Sequence, residues 1–218
     1  MTRLRTLLEW LVILVPLAVI GFVAFTLLSG SGSLPAASGL PDNGGGFYQT
    51  PLPSPQQYSK TAGDWTFTFI SKYAYTLAGK VVGRHEYPAA LPDGIIPLDL
   101  AVVNGDLLKQ DILSDFTFTM GDHTLKYSYD VPAWTGLTEE YIDEHISNNH
   151  LVFLNSTLES GVKGAQVGSC LIIKGKLVDI RGASPAYRYL IDTSTVRNDS
   201  YPAGCEIILV ESYTPVTC

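Results

Sequence analysis

Hydrophobic residues follow two patterns along the chain: one dense block near its start, then short runs in which apolar and polar residues alternate. The block runs from Leu7 to Leu28 and is interrupted only by Glu9, Pro16, Gly21 and Thr26. No residue from Trp10 to Leu28 is charged, and a helix of that length matches a hydrocarbon core of about 30 Å. The block predicts a single transmembrane signal-anchor over residues 7–28. The alternative is a cleaved secretory signal, but its apolar core runs only about 7–15 residues, and Pro35-Ala36-Ala37 makes a poor cleavage site. Arg3 and Arg5 precede the block, and no Lys or Arg follows until Lys60. The positive-inside rule therefore places the N-terminus in the cytoplasm and the large C-terminal part outside the cytoplasmic membrane.

The alternating runs predict strands. Trp65 to Phe69 alternates strictly, and Tyr73, Tyr75 and Leu77 carry period two toward Gly83. Leu98–Val103 is a short apolar strand that ends at the turn signal Asn104-Gly105. Phe116–Thr119 and Leu125–Tyr129 flank a short loop and predict a hairpin. A helix is expected after the cap Thr138, with Glu139 and Glu140 at its positive end and Tyr141, Ile142 and Ile146 as its apolar face. A second is expected from Asn155 or Ser156, with Leu158 and Val162 inward. Cys170–Ile180 and Gly204–Ser212 predict two more strands, the last apolar on both sides and hence central. Leu77-Ala78-Gly79-Lys80-Val81-Val82 and Ile173-Lys174-Gly175-Lys176-Leu177-Val178 echo each other, each with a mid-strand glycine where a sheet bends or bulges. The expected fold is mainly β: a small antiparallel β-barrel, OB-like, or a sandwich, with one or two short helices.

The stretch 29–59 carries Ser-Gly-Ser-Gly-Ser, then Gly44-Gly45-Gly46, then Pro51, Pro53 and Pro55. That composition predicts a tether, coil-like at first and stiffer later. It leaves 60–218 as the extracytoplasmic β-rich domain. Setting aside Arg3, Arg5 and Glu9, the 14 basic and 21 acidic residues become 12 and 20, a net charge of −8. A surface of that sign argues against nucleic acid as a partner. An envelope protein and, through residues 7–28, the membrane are the expected partners. Three cysteines, Cys170, Cys205 and Cys218, allow one bridge in an exported domain. Pairing of Cys205 with either of the others, or three free thiols, all fit.

Candidate chemistry concentrates in a few residues. His150 beside Asn148 and Asn149 suits a general base or a polar ligand contact, while the two asparagines also suit a helix C-cap and turn. Cys205 with His150 would make a nucleophile–base pair, although the apolar company of Ile207 and Leu209 points to a buried or bridged cysteine. Glu206 needs a partner if buried; Arg197 is the candidate, with Asp99 and Asp199 competing for the same cation. His85, His123, His145 and His150 show no metal-ligand spacing, and no Cys-x-x-Cys, phosphate loop, dinucleotide fingerprint or nucleophile elbow occurs. No metal and no cofactor are expected.

Four segments form an ordered series: Pro97-Leu98-Asp99-Leu100-Ala101 through Gly105, Ser147-Asn148-Asn149-His150-Leu151, Gly168–Val178, and Arg197-Asn198-Asp199 with Gly204-Cys205-Glu206. With these motifs the chain resembles a widespread family of uncharacterised, membrane-anchored prokaryotic proteins over roughly residues 80–212. It departs from their pattern at Asn104, where tryptophan is usual, and at Phe153, near the usual proline. The resemblance implies a membrane address and a polar cluster of Asp99, Asn148, Asn149, His150, Arg197, Asp199 and Glu206, but no reaction. A non-enzymatic extracytoplasmic binding or envelope-assembly module is the first functional expectation. An envelope hydrolase or transferase using Cys205 and His150 is the second.

Overall fold

The alternation that starts at Trp65 runs on without a break into one 22-residue strand, β3 (Trp65–Glu86), and the rest of the sheet is built on it. The computed structural model describes residues 39–41, 44–130, 135–196 and 205–218. The expected membrane segment 7–28 lies outside them. Among the described residues no helix is long and apolar enough to cross a membrane.

Two short strands precede the spine, β1 (Gly46–Pro51) and β2 (Gln57–Ala62), and both pair antiparallel with β3. The second half of the stretch expected as tether is therefore part of the sheet. Backbone pairing to β3, rather than apolar content, recruits it. After β3 come β4 (Leu98–Val103), the hairpin strands β5 (Phe116–Gly121) and β6 (Thr124–Tyr129), β7 (Ile146–Val152), β8 (Cys170–Ala183), β9 (Arg188–Ile191) and β10 (Cys205–Val216). Three short helices intervene: α1 (Gln110–Leu113), α2 (Glu139–Glu144) and α3 (Ser156–Lys163). The two caps expected from sequence are formed, Thr138 accepting from the Tyr141 amide and Asn155 from the Thr157 and Leu158 amides.

Five strands close on themselves in the order β3-β4-β7-β10-β8 and back to β3. Neighbours run antiparallel except β7 and β10, which are parallel. Closure requires β3 to leave β8 and turn onto β4, and two glycines permit the close approach. A Cβ on Gly79 would sit 2.3 Å from the Val103 carbonyl oxygen, and one on Gly175 would sit 2.2 Å from that of Leu209. These are the glycines of the two echoing segments.

The closed strands contribute alternate residues to one core, including Leu77, Leu98, Leu100, Leu151, Leu177 and Ile208, and α3 adds Val162. Two further clusters lie on the opposite face of the sheet. One gathers Phe67, Phe69, Ile95, Val152, Ile207 and Leu209. The other gathers Val103, Ile112, Phe116, Ile142 and Ile146 beneath the hairpin and α2.

Three sequence expectations fail here. Ile146 opens β7 instead of extending the helix face, and Asn148 and Asn149 are strand residues rather than a C-cap and turn. Hydrogen-bonded neighbours on both sides, β4 and β10, override the low strand preference of Ser and Asn. The bridge joins Cys170 to Cys218 and excludes Cys205. Antiparallel pairing sets Val216 against Cys170 and puts Cys205 at the far end of β10. A cross-link spanning 48 residues stabilises the fold by about 4 kcal/mol on loop-entropy grounds.

Candidate active site

Side chains alternate across a strand, so cross-strand partners share a face. Asp99 on β4 lies opposite His150 on β7, Ala101 opposite Asn148, and Asn148 in turn opposite Cys205 on β10. Asp99, Asn148, His150 and Cys205 therefore form a polar patch on the outer face, bounded by Val152, Ile207 and Leu209 on one side and Val103 and Ile146 on the other. The strands supply a rigid frame, and both borders exclude water.

Asp99 is fully buried. Its Oδ1 faces His150 Nδ1 at 2.8 Å, and its Oδ2 faces His123 Nδ1 at 3.0 Å and accepts from Tyr87 Oη at 2.9 Å. Burial alone would raise its pKa; the hydrogen bonds to His123 and His150 outweigh burial and hold the carboxyl below its usual value. Burial alone would lower His150, but its hydrogen bonds to Asp99 and Cys205 push it up to about 9. With Nδ1 turned to Asp99, Nε2 is the ring nitrogen left for the Cys205 sulfur. Cys205 is a free, partly exposed thiol. Asn148 Nδ2 donates to Cys205 Sγ at 3.4 Å and to the His123 carbonyl at 3.2 Å. Asn148 Oδ1 and His123 Nε2 are buried without a hydrogen-bond partner among the described residues.

His123 and Tyr87 belong to the site although no sequence motif marks them. His123 is delivered by the β5–β6 turn, where Asp122 and His123 both take left-handed conformations, φ 50° and 56°. A two-residue hairpin loop of this type (I′) needs positive φ at both positions and usually fills them with Asn-Gly; a histidine there carries backbone strain. That Asp-His pair between two alternating runs is the one local signal available. The Tyr87 ring stacks on His123 with centroids 3.8 Å apart, and Tyr87 Oη accepts from the His123 amide at 2.7 Å. Burial and the Asp99 charge push the Tyr87 hydroxyl up.

The polar cluster expected from sequence divides across the sheet. Asn149 and Glu206 lie on the inner face with Ser147, whose Oγ contacts Asn149 Oδ1 at 2.9 Å and donates to Glu206 Oε2 at 3.0 Å. Asn149 Nδ2 donates to the Leu100 carbonyl. Asp99 and Glu206 thus lie on opposite faces of the sheet, because the β7 residues they pair with, His150 and Asn149, are adjacent and face opposite ways; among the described residues the partners of Asp99 are His123, His150 and Tyr87. Arg197 and Asp199 lie outside the described residues. Against the expectation of no metal site, Asp99, His123 and His150 each offer a ligand atom within 4.8 Å of the others. They come from β4, a hairpin turn and β7, so local spacing carries no trace of them.

No protein-family model, no curated protein and no solved structure matches the chain.

Proposed function

We propose that the domain is a thiol-dependent acyl hydrolase or acyl transferase, with Cys205 as nucleophile, His150 as its proton partner and Asp99 as the carboxylate that orients His150. One observation carries this reading: His150, 2.8 Å from a buried carboxylate, shares one face with the diagonally placed Cys205 of β10, a free, partly exposed thiol. That is the nucleophile–base–orienter arrangement of acyl transfer. The Cys205 sulfur attacks the carbonyl carbon of an ester, thioester or amide, and its proton resides on His150. The leaving group departs with that proton as the C–O, C–S or C–N bond breaks. Water, or an amine or alcohol acceptor, then attacks the thioester, gives its proton to His150 and releases the thiol. Asn148 Nδ2, beside the sulfur, is placed to donate to the oxyanion that develops there.

The reading fits the architecture. Five closed strands, a parallel pair between the third and fifth, and a helix between the third and fourth support a barrel of the OB type. In such barrels the face of the second and third strands binds ligands, and here those strands carry Asp99 and His150. The Cys170–Cys218 bridge suits an exported domain, in keeping with an anchor at residues 7–28 and an envelope substrate. Asp99, His150 and Cys205 also come from three separate motifs of the family resemblance. A purely non-enzymatic binding module leaves the free thiol beside a histidine–carboxylate pair without a role.

The test is acetylation of the full chain by p-nitrophenyl acetate, followed by intact and peptide mass spectrometry. One acetyl group on Cys205 is expected, with slow release of p-nitrophenol thereafter. A folded protein whose Cys205 stays unmodified, or acetylation that survives in Cys205→Ala, overturns the proposal.

A further inference from the structure

An acyl-transfer relay uses one imidazole, yet Asp99 holds two. The second, His123, is fixed at four points: its Nδ1 on Asp99, its ring on Tyr87, its amide on Tyr87 Oη and its carbonyl on Asn148 Nδ2. It is held there by a turn that places a non-glycine residue at φ 56°. Strain and four anchors spent on a group the relay does not need call for a second role.

We propose that Asp99, His123 and His150 form a binding site for a divalent transition metal ion of the zinc class. Two imidazoles and one carboxylate are a common donor set for such ions, with open positions left for water or substrate. Donor atoms around tetrahedral zinc lie about 3.3 Å apart, from bond lengths near 2.0–2.1 Å. The Asp99 carboxylate spans the two imidazoles, Oδ1 at 2.8 Å from His150 Nδ1 and Oδ2 at 3.0 Å from His123 Nδ1, and one ligand atom from each residue lies within 4.8 Å of the others. The outer shell is present as well: Tyr87 Oη donates to Asp99 and fixes the His123 backbone, the kind of support that orients metal ligands. His123 is the most open of the three, with 28% of its side chain exposed, and gives the ion a way in. A bound ion takes the Asp99 carboxylate and His150 out of the relay, so a filled site no longer orients His150 for the Cys205 thiol. This last consequence rests on the acyl-transfer reading; the metal site itself does not.

The purified full chain, stripped with EDTA, is titrated with Zn²⁺ by calorimetry and with Co²⁺ by visible absorption. One ion per chain with micromolar or tighter affinity is expected. His123→Ala and His123→Gln should weaken binding about 10–100-fold or more and remove the cobalt ligand-field band, while Cys205→Ala should keep both. The absence of saturable binding, or wild-type affinity in both His123 variants, overturns the site. Zn²⁺ should also suppress acetylation of Cys205 in the wild type and not in the His123 variants. Zinc bound by a chain whose Cys205 is inert even when metal-free leaves the metal site standing and refutes the acyl-transfer reading. Acetylation without zinc binding does the reverse.

Discussion

Two polar groups lie back to back on the same three strands and have opposite characters. On the inner face Ser147, Asn149 and Glu206 bond to one another and to backbone, enclosed by the main core. On the outer face Asp99, Asn148, His150 and Cys205 meet a partly exposed thiol, a second histidine and two buried polar atoms without a hydrogen-bond partner among the described residues. A one-residue step along β7, from Asn148 to Asn149, separates them. Burial is common to both, so burial does not mark function. What differs is chemistry: the inner group joins a hydroxyl, an amide and a carboxylate, whereas the outer one sets a histidine–carboxylate pair beside a partly exposed thiol.

Substitutions on the two faces should therefore fail in different ways. The largest effect belongs to Cys205→Ala, expected to cut acetylation by p-nitrophenyl acetate at least about 10³-fold, since the nucleophile itself is gone, while the melting temperature barely changes. Asp99→Asn comes next. It still orients His150 but no longer stabilises the imidazolium, and a roughly 100-fold loss in acylation rate is expected. On the inner face Glu206→Ala should lower stability by about 1–3 kcal/mol in denaturant unfolding, because a buried, hydrogen-bonded carboxylate is lost and Ser147 keeps only Asn149 Oδ1 as acceptor; the folded fraction should still acylate. Equal loss of acylation per folded molecule in Glu206→Ala and Asp99→Asn would erase the distinction between the faces.

A smaller effect follows pH in metal-free protein. His150 rises from an ordinary 6.5 to about 9 on folding. Its contribution to stability is complete below about pH 6.5 and is lost as pH rises through about 9. The groups facing it are Asp99 from β4, Cys205 from β10 and, edge-on, His123 from the hairpin turn. Melts in EDTA should drop by several degrees between pH 7 and 10 in the wild type and by less in Asp99→Asn. A smaller loss of acylation than in Asp99→Asn is expected from metal-free His123→Ala, because Asp99 gives up one imidazole partner and keeps its bond to His150.

Much of the frame is legible in the residues. Period-two alternation marks β3, the β5–β6 hairpin and β8, and the caps Thr138 and Asn155 mark two helix starts. The apolar run of β10 marks its central place, and Gly79 and Gly175 mark the closure. β7 is not legible, because Ser147-Asn148-Asn149-His150 reads as a turn until two neighbouring strands claim its backbone. β1 and β2 hide in Gly- and Pro-rich sequence for the same reason. In the site, His150, Cys205 and Asp99 stand out by residue type, but nothing local joins Asp99 to its two histidines. His123 leaves only the odd Asp-His turn.

By itself, then, the chain determines which residues carry reactive groups and which segments extend, because side-chain chemistry and backbone preference are local properties. The tertiary structure alone decides which groups meet. Closure of β3 onto β8 and insertion of β7 between β4 and β10 set the register, and register places Asp99, His150 and Cys205 on one face and Glu206 on the other. It also leaves Cys218, not Cys205, beside Cys170. Those outcomes hang on pairings between residues some 50 to 120 positions apart, a distance over which no local pattern carries information.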